Sequence, residues 1–111
     1  MNTLIRSMRT ARLMEKGNIK SGIGDYETAL GYYRMSLDYV TREHESMFVY
    51  YCLAHTLAKL GRYDEARKYA DRSLQDCERF SVLGEPVREL ETDVREVLKY
   101  VEEKKREEKE T

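Results

Sequence analysis

Apolar residues recur in steps of three and four along residues 87–101 of this chain. Because an α-helix turns once in about 3.6 residues, this spacing puts them on one helix face. The stripe consists of Val87, Leu90, Val94, Val97, Leu98 and Val101. Gly84 and Pro86 precede it, and proline is favoured in the first turn of a helix. The pattern predicts a helix over about 85–101 with one apolar face.

A short phrase occurs twice, as GDYETA at residues 24–29 and as GRYDEA at residues 61–66. The two copies start 37 residues apart. Their register continues through the pairs Tyr33 and Ala70, Ser36 and Ser73, and Leu37 and Leu74. A fixed period in the thirties is typical of stacked helical hairpins, each of which needs a neighbour to bury its apolar face. We therefore expect a helical repeat protein.

The small residues of the repeat have a mechanical explanation. Gly24 and Gly61 would each end a helix where the backbone turns left-handed, a conformation that is costly for other residues. Two helices joined by a short turn pack closely only where the side chains at the crossing are small. We therefore expect Gly17 to face Ala29 in the first hairpin.

On these residues the chain resembles the tetratricopeptide repeat family, over about residues 11–76. The family's pattern on the first helix of a repeat is matched in the second copy by Tyr50, Leu53, Ala54 and Leu57. The first copy fits at Leu13, Gly17, Gly24, Tyr26, Ala29 and Leu37. The resemblance implies an all-α fold, an α-α superhelix of two tetratricopeptide-like hairpins with a long C-terminal capping helix. The period exceeds the family's usual length of about 34, and we place the extra residues around 41–45.

We expect one domain over residues 1–101. It comprises hairpin 1 at about 3–42, hairpin 2 at about 46–81 and the capping helix at about 85–101. Every residue from Glu102 to Glu110 is Glu, Lys or Arg, so none of them can be buried. Residues 102–111 are predicted to be a charged extension of the helix or a frayed tail.

In the family that the chain resembles, the first helix of each hairpin lines a concave groove that holds a partner. Carried over to this sequence, the resemblance assigns groove positions to Met14, Asn18, Ser21, Phe48, Tyr51, His55 and Lys59. Phe48, Tyr51 and His55 recur in steps of three and four, so they form a strip on one side of their helix. This strip lies beside the residues that should face the interior of the hairpin, which agrees with the assignment to the groove. The alternative for Phe48 and His55 is burial beneath the capping helix.

The chain holds nine tyrosines, more than the interior of two hairpins needs. Tyr32 and Tyr69 should lie toward the outer faces of the second helices, where tyrosine offers contact area at a low cost in entropy. Ile5 and Met8 lie on the edge that a preceding repeat would cover. These four residues are candidates for an oligomer interface, and a homodimer is one possible outcome.

No pattern points to catalysis, a metal or a cofactor. The glycines of residues 17–24 superficially resemble a phosphate loop, but Ile23 and Gly24 stand where Lys and Ser or Thr are required. The cysteines and histidines have no ligand spacing; they are Cys52, Cys77, His44 and His55. We expect neither an enzyme nor a bound cofactor. Two widely spaced cysteines suit a reducing compartment, and no run approaches eighteen apolar residues, so we expect a cytoplasmic protein without a membrane span.

A basic stripe lies on the first predicted helix and consists of Arg6, Arg9, Arg12, Lys16 and Lys20. Such a stripe can follow the phosphates of a nucleic acid. The sequence favours a solvated outer face instead, because aromatic residues for base stacking are absent nearby and the formal net charge is −1.

These features together predict a non-catalytic protein-protein interaction module. It would be an adaptor or small chaperone that holds a peptide or helix of another protein in the groove. Two alternatives stay open: a structural homodimer, and a nucleic-acid binder that uses the basic stripe.

Overall fold

The computed structural model describes residues 2–110, and over that range it contains five α-helices and no strand. The helices are α1 (Thr3–Gly22), α2 (Tyr26–Leu37), α3 (Glu43–Lys59), α4 (Tyr63–Arg79) and α5 (Glu85–Glu110). A short 3₁₀ turn, Ser81–Leu83, joins α4 to α5. The predicted all-α fold is confirmed.

The two hairpin turns close in the same way, one repeat apart. Gly24 and Gly61 have φ angles of 82° and 77°, which glycine adopts without strain. In the first turn the Asp25 N–H donates to the Lys20 carbonyl at 2.9 Å, and in the second the Arg62 N–H donates to the Leu57 carbonyl at 2.9 Å. These bonds satisfy carbonyls that a helix end otherwise leaves unpaired. The sequence repeat is therefore also a repeat of backbone structure.

Helix α3 is the centre of the core. It packs against α2, α4 and α5, and its side chains at Met47, Leu53 and Leu57 are fully buried. Helix α5 completes the core with Val94 and Val101, which are also fully buried. Each of these side chains contributes about 1.5–3 kcal/mol by leaving water. Hairpin 2 is thus enclosed on two sides, by hairpin 1 and by α5.

Two details differ from the expectations. Helix α3 begins at Glu43, earlier than the boundary expected at 46, and Glu43 and Glu45 lie in its first turn, where carboxylates interact favourably with the helix dipole. Gly17 is closest to the ring of Tyr33 rather than to Ala29. The large Tyr33 ring therefore packs directly against the glycine of the first hairpin.

The charged segment after Val101 is helical through Glu110. Lys105 on this segment forms an ion pair with Asp64 at the start of α4. The hydrogen bond and the positive charge of Lys105 lower the pKa of the Asp64 carboxyl. This contact joins the end of α5 to the beginning of α4.

Candidate partner-binding groove

Helices α1, α3 and α5 share one face of the molecule, and three adjoining cavities lie between them. The first cavity, of about 230 Å³, lies between α1 and α3 and includes Met14 and Phe48. The second, of about 370 Å³, includes the same two residues together with Tyr51 and Asp93. The third, of about 220 Å³, lies between α3 and α5 and also includes Tyr51 and Asp93. Because neighbouring cavities share residues, they form one continuous surface, which we call the groove.

The structure brings six of the seven predicted groove residues together. These are Met14, Asn18, Phe48, Tyr51, His55 and Lys59. The seventh, Ser21, lines none of the three cavities and is half-buried near the Tyr33 hydroxyl. Burial raises the pKa of Tyr33, and a hydrogen bond with Ser21 acts in the opposite direction. Ser21 thus lies beside the interior of hairpin 1, and its role in the groove stays a prediction.

Asn18 links the groove to the packing of hairpin 1. Its Oδ1 accepts a hydrogen bond of 2.6 Å from the Tyr33 hydroxyl. Tyr33 is buried, so this bond helps to satisfy a phenol that is withdrawn from water. Because the bond fixes the carbonyl side of the Asn18 amide, its NH₂ group is the part of the side chain that can reach a ligand.

Aromatic side chains form the floor of the groove. Phe48 remains 37% exposed although Leu90 and Pro86 of α5 line the same cavity. The rings of Tyr51 and His55 lie one helical turn apart, with their centroids 6.1 Å apart. Aromatic side chains that stay partly exposed in a concave surface are typical anchor points for a partner.

Helix α5 forms one wall of the groove, which the sequence analysis missed. The residues on this wall follow steps of three and four: Pro86, Glu89, Asp93, Glu96 and Tyr100. They form a second stripe beside the buried valine and leucine stripe of the same helix. That spacing is visible in the sequence, but the apolar stripe alone predicts only the face of α5 that packs on hairpin 2.

The ionisable groups of the groove are shifted by burial and by neighbouring charge. Burial raises the pKa of Tyr51, and the carboxylates of Asp93 and Glu96 raise it further. Burial lowers the pKa of His55, and Lys59 acts in the same direction. Burial also raises the pKa of Cys52 to about 12, so this thiol stays protonated and unreactive near neutral pH.

The four candidates for an oligomer interface fall into two groups. Ile5 and Met8 are exposed on α1, with exposed fractions of 43% and 58%. Tyr32 and Tyr69 are half-buried, because Tyr32 lies beneath the Lys16 ammonium and Tyr69 stacks on Tyr50 at 5.9 Å. The two tyrosines therefore offer only part of their rings to a partner.

Part of the basic stripe contacts tyrosines within the chain. The guanidinium groups of Arg6 and Arg9 lie 5.7 and 5.5 Å from the centroid of the Tyr39 ring. The Lys16 ammonium lies 5.9 Å from the Tyr32 ring centroid. Cation–π contacts of this kind hold the cations against α2 and the residues that follow it.

The described residues offer neither a membrane span nor a metal site. Over residues 2–110, no helix is both long and apolar enough to cross a lipid bilayer. Over the same part of the chain, no three His, Cys, Asp or Glu side chains are grouped so that they could hold a metal ion.

Comparison with known proteins identifies the second hairpin. Residues 47–80 match the family model described as Tetratricopeptide repeat. The matched segment runs through α3 and α4, the two helices of that hairpin. No curated protein and no solved structure matches the chain. The family match, the all-α fold and the repeated hairpin turn describe a tetratricopeptide-like repeat protein, and such repeats are typically non-catalytic protein-interaction modules.

Proposed function

We propose that this tetratricopeptide-like protein is an adaptor or small chaperone that holds a peptide or helix of a partner protein in the groove. The observation that carries the proposal is the continuous surface along α1, α3 and α5, with Phe48 and Tyr51 on its floor. A concave surface that combines aromatic anchors with polar groups suits the binding of a peptide segment.

A peptide selection with matched variants tests this function. Peptides would be selected from a random 12-residue display library against the wild-type chain, and their affinities measured by fluorescence anisotropy. We expect Tyr51→Ala to weaken binding at least tenfold, because truncating an anchor in the groove commonly costs about 2 kcal/mol or more. Tyr69→Ala is the matched control, since Tyr69 is also half-buried but lies beside Tyr50 away from the groove. Peptides that bind Tyr51→Ala as tightly as the wild type would refute the groove assignment.

A second candidate function is structural assembly as a homodimer. The observation that favours it is a row of exposed apolar side chains on α1 and at its C-terminal end, which are Leu4, Ile5, Met8, Ile19 and Ile23. Apolar patches of this kind commonly mark protein interfaces. Sedimentation equilibrium of the wild type and of Ile5→Glu/Met8→Glu tests this candidate. A wild-type dimer that becomes monomeric in the double variant supports it, whereas a wild-type monomer at high concentration excludes it.

We propose the cytoplasm as the compartment. Cys52 and Cys77 are both free thiols, and Cys77 is fully buried. Free thiols are typical of reducing compartments. Fractionation of cells that express the tagged chain tests this proposal.

A further inference from the structure

Two glutamates near the start of α5 form ion pairs within that helix, whereas the carboxylates on the groove wall do not in the described part of the chain. On the faces away from the groove, Glu91 pairs with Arg95 at 2.8 Å and Glu85 pairs with Arg88 at 3.2 Å. The groove wall carries Glu89, Asp93 and Glu96. Over residues 2–110, none of these three forms an ion pair or a side-chain hydrogen bond. The groove therefore holds three carboxylates whose charge is not neutralised by a neighbouring side chain.

The cationic groups of the groove do not balance these carboxylates. Lys59 lines the part of the groove between α3 and α5, and its ammonium lies 5.7 Å from the centroid of the Tyr100 ring. Burial lowers the pKa of His55, which favours its neutral form. At the far end of the groove, Glu45 lines the cavity between α1 and α3 and adds another carboxylate without an ion pair in the described chain. The groove is thus negative, although the whole chain has a formal net charge of only −1.

The negative charge lies directly beside the aromatic floor. Tyr51 shares one cavity with Asp93 and Glu96 and another with Phe48 and Glu89. Burial raises the pKa of the Tyr51 phenol, and the charges of Asp93 and Glu96 raise it further. Met14 and Leu90 extend the floor with apolar surface. A ligand that satisfies this arrangement needs cationic side chains on one side and an apolar or aromatic anchor on the other.

We propose that the groove selects a basic segment of a partner protein, whose Lys or Arg side chains pair with Glu89, Asp93 and Glu96 while an apolar side chain packs on Phe48 and Tyr51. This proposal rests on the proposed function, since it specifies the chemistry of the partner held there. The three carboxylates follow the helical steps of α5 and span about 10 Å, at 1.5 Å per residue. Two or three cations spaced along a short peptide can reach them. Charge complementarity of this kind raises the association rate and excludes partners with acidic segments.

The test is the charge of the peptides that the groove selects. A random 12-residue display library would be selected in parallel against the wild type, Asp93→Lys/Glu96→Lys and Glu78→Lys/Glu102→Lys. The control pair makes the same change in net charge at exposed glutamates outside the groove, one on α4 and one on another face of α5. We expect peptides with a net charge of +2 or more from the wild type and the control. We expect neutral or acidic peptides from the groove variant.

Affinity measurements give the second readout. A selected basic peptide, labelled with fluorescein, should bind Asp93→Lys/Glu96→Lys at least tenfold more weakly than the wild type, and the control within about threefold. Its affinity should fall between 50 and 300 mM NaCl, because partly exposed ion pairs are screened by salt. Circular dichroism would show that each variant is folded. Should the reversed pair fail to fold, Asp93→Asn/Glu96→Gln replaces it, with the same expected loss.

The outcomes separate this inference from the function on which it rests. Neutral or acidic peptides that bind the wild type and depend on Tyr51 would overturn the basic-segment proposal and leave the groove as the binding site. Peptides that do not depend on Tyr51 would overturn both. A stable wild-type dimer in which Asp93→Lys/Glu96→Lys breaks self-association would assign the groove to a second copy of this chain, whose α1 carries the basic stripe, and would also overturn the proposal of a separate partner.

Discussion

Gly17 and Tyr33 pack as a complementary pair across hairpin 1. A Cβ atom added to Gly17 would lie 2.5 Å from Cε1 of the Tyr33 ring, closer than such atoms approach in proteins. The equivalent positions of hairpin 2 are Ala54 and Ala70, both fully buried. The two hairpins therefore fill the same crossing in two ways, one with glycine against a large ring and the other with two alanines.

This pairing predicts that Gly17→Ala destabilises the protein. The added methyl group overpacks the crossing, at a cost of about 1–3 kcal/mol. Alanine recovers only about 1 kcal/mol as the better helix former. We expect a net loss of up to about 2 kcal/mol in the free energy of unfolding, measured by urea denaturation.

The effect of Gly17→Ala on the free energy of unfolding should change sign when the Tyr33 ring is absent. In a Tyr33→Ala background, the new methyl group at position 17 fills part of the cavity left by the ring instead of meeting it. We therefore expect Gly17→Ala/Tyr33→Ala to be more stable than Tyr33→Ala alone. Additive losses in the double variant would show that the two residues are not coupled in this way.

Gly31→Ala is a separate prediction, with the opposite sign from Gly17→Ala. Gly31 is exposed within α2, and a Cβ added to it meets no other atom within 4 Å. Replacing an interior helical glycine that has free space should stabilise the protein by about 0.5–1 kcal/mol. A higher urea midpoint with an unchanged slope would be the supporting result. A lower midpoint would mean that α2 needs the glycine for another reason.

Most of the fold could be predicted from the sequence, because it depends on local signals. The turns at Gly24 and Gly61 and the apolar stripe of α5 are each encoded within a few neighbouring residues. The Gly17–Tyr33 contact was not predicted. The repeat makes Tyr33 equivalent to Ala70, but it does not show which side chain fills the crossing between the two helices of a hairpin. A small residue such as Gly17 can compensate in volume for a large one such as Tyr33 only through packing, and the period of the sequence does not show which residues pack together.

The candidate site was predicted in part for a similar reason. Six of its residues lie on α1 and α3, where the resemblance to a known repeat supplied the positions. The wall with Asp93 and Glu96 lies on α5, and the sequence does not show on which side of hairpin 2 that helix packs. Ser21 lies where α1 approaches its end, and its side chain lies beside the buried Tyr33 hydroxyl, a contact that the sequence does not show.

Ser73 and Ser36 occupy equivalent places in the repeat but should differ in their effect on stability. The Ser73 hydroxyl donates to the Met47 carbonyl at 2.8 Å and so joins α4 to α3. The Ser36 hydroxyl donates to the Tyr33 carbonyl of its own helix at 2.7 Å, and its contact with Met14 Sδ on α1, at 3.6 Å, is to a weak acceptor. We expect Ser73→Ala to lower the free energy of unfolding by about 0.5–1.5 kcal/mol, and Ser36→Ala to change it less. Urea denaturation of both variants measures the difference, and equal losses would contradict it.

His55 should make the stability depend on pH below neutrality. Burial lowers its pKa in the folded protein below the unfolded value of 6.5, and Lys59 adds to the effect. As the pH falls from that value through the folded-state pKa, the unfolded chain binds more protons than the folded chain, so stability decreases. The stability that neutral His55 provides relative to its protonated form is fully present above the unfolded pKa. Urea denaturation of the wild type and of His55→Gln at pH 7.5 and 5.5 isolates it, because the carboxylates titrate in both proteins. We expect the wild type to lose more stability on acidification than His55→Gln, and equal losses would show that His55 is not the group responsible.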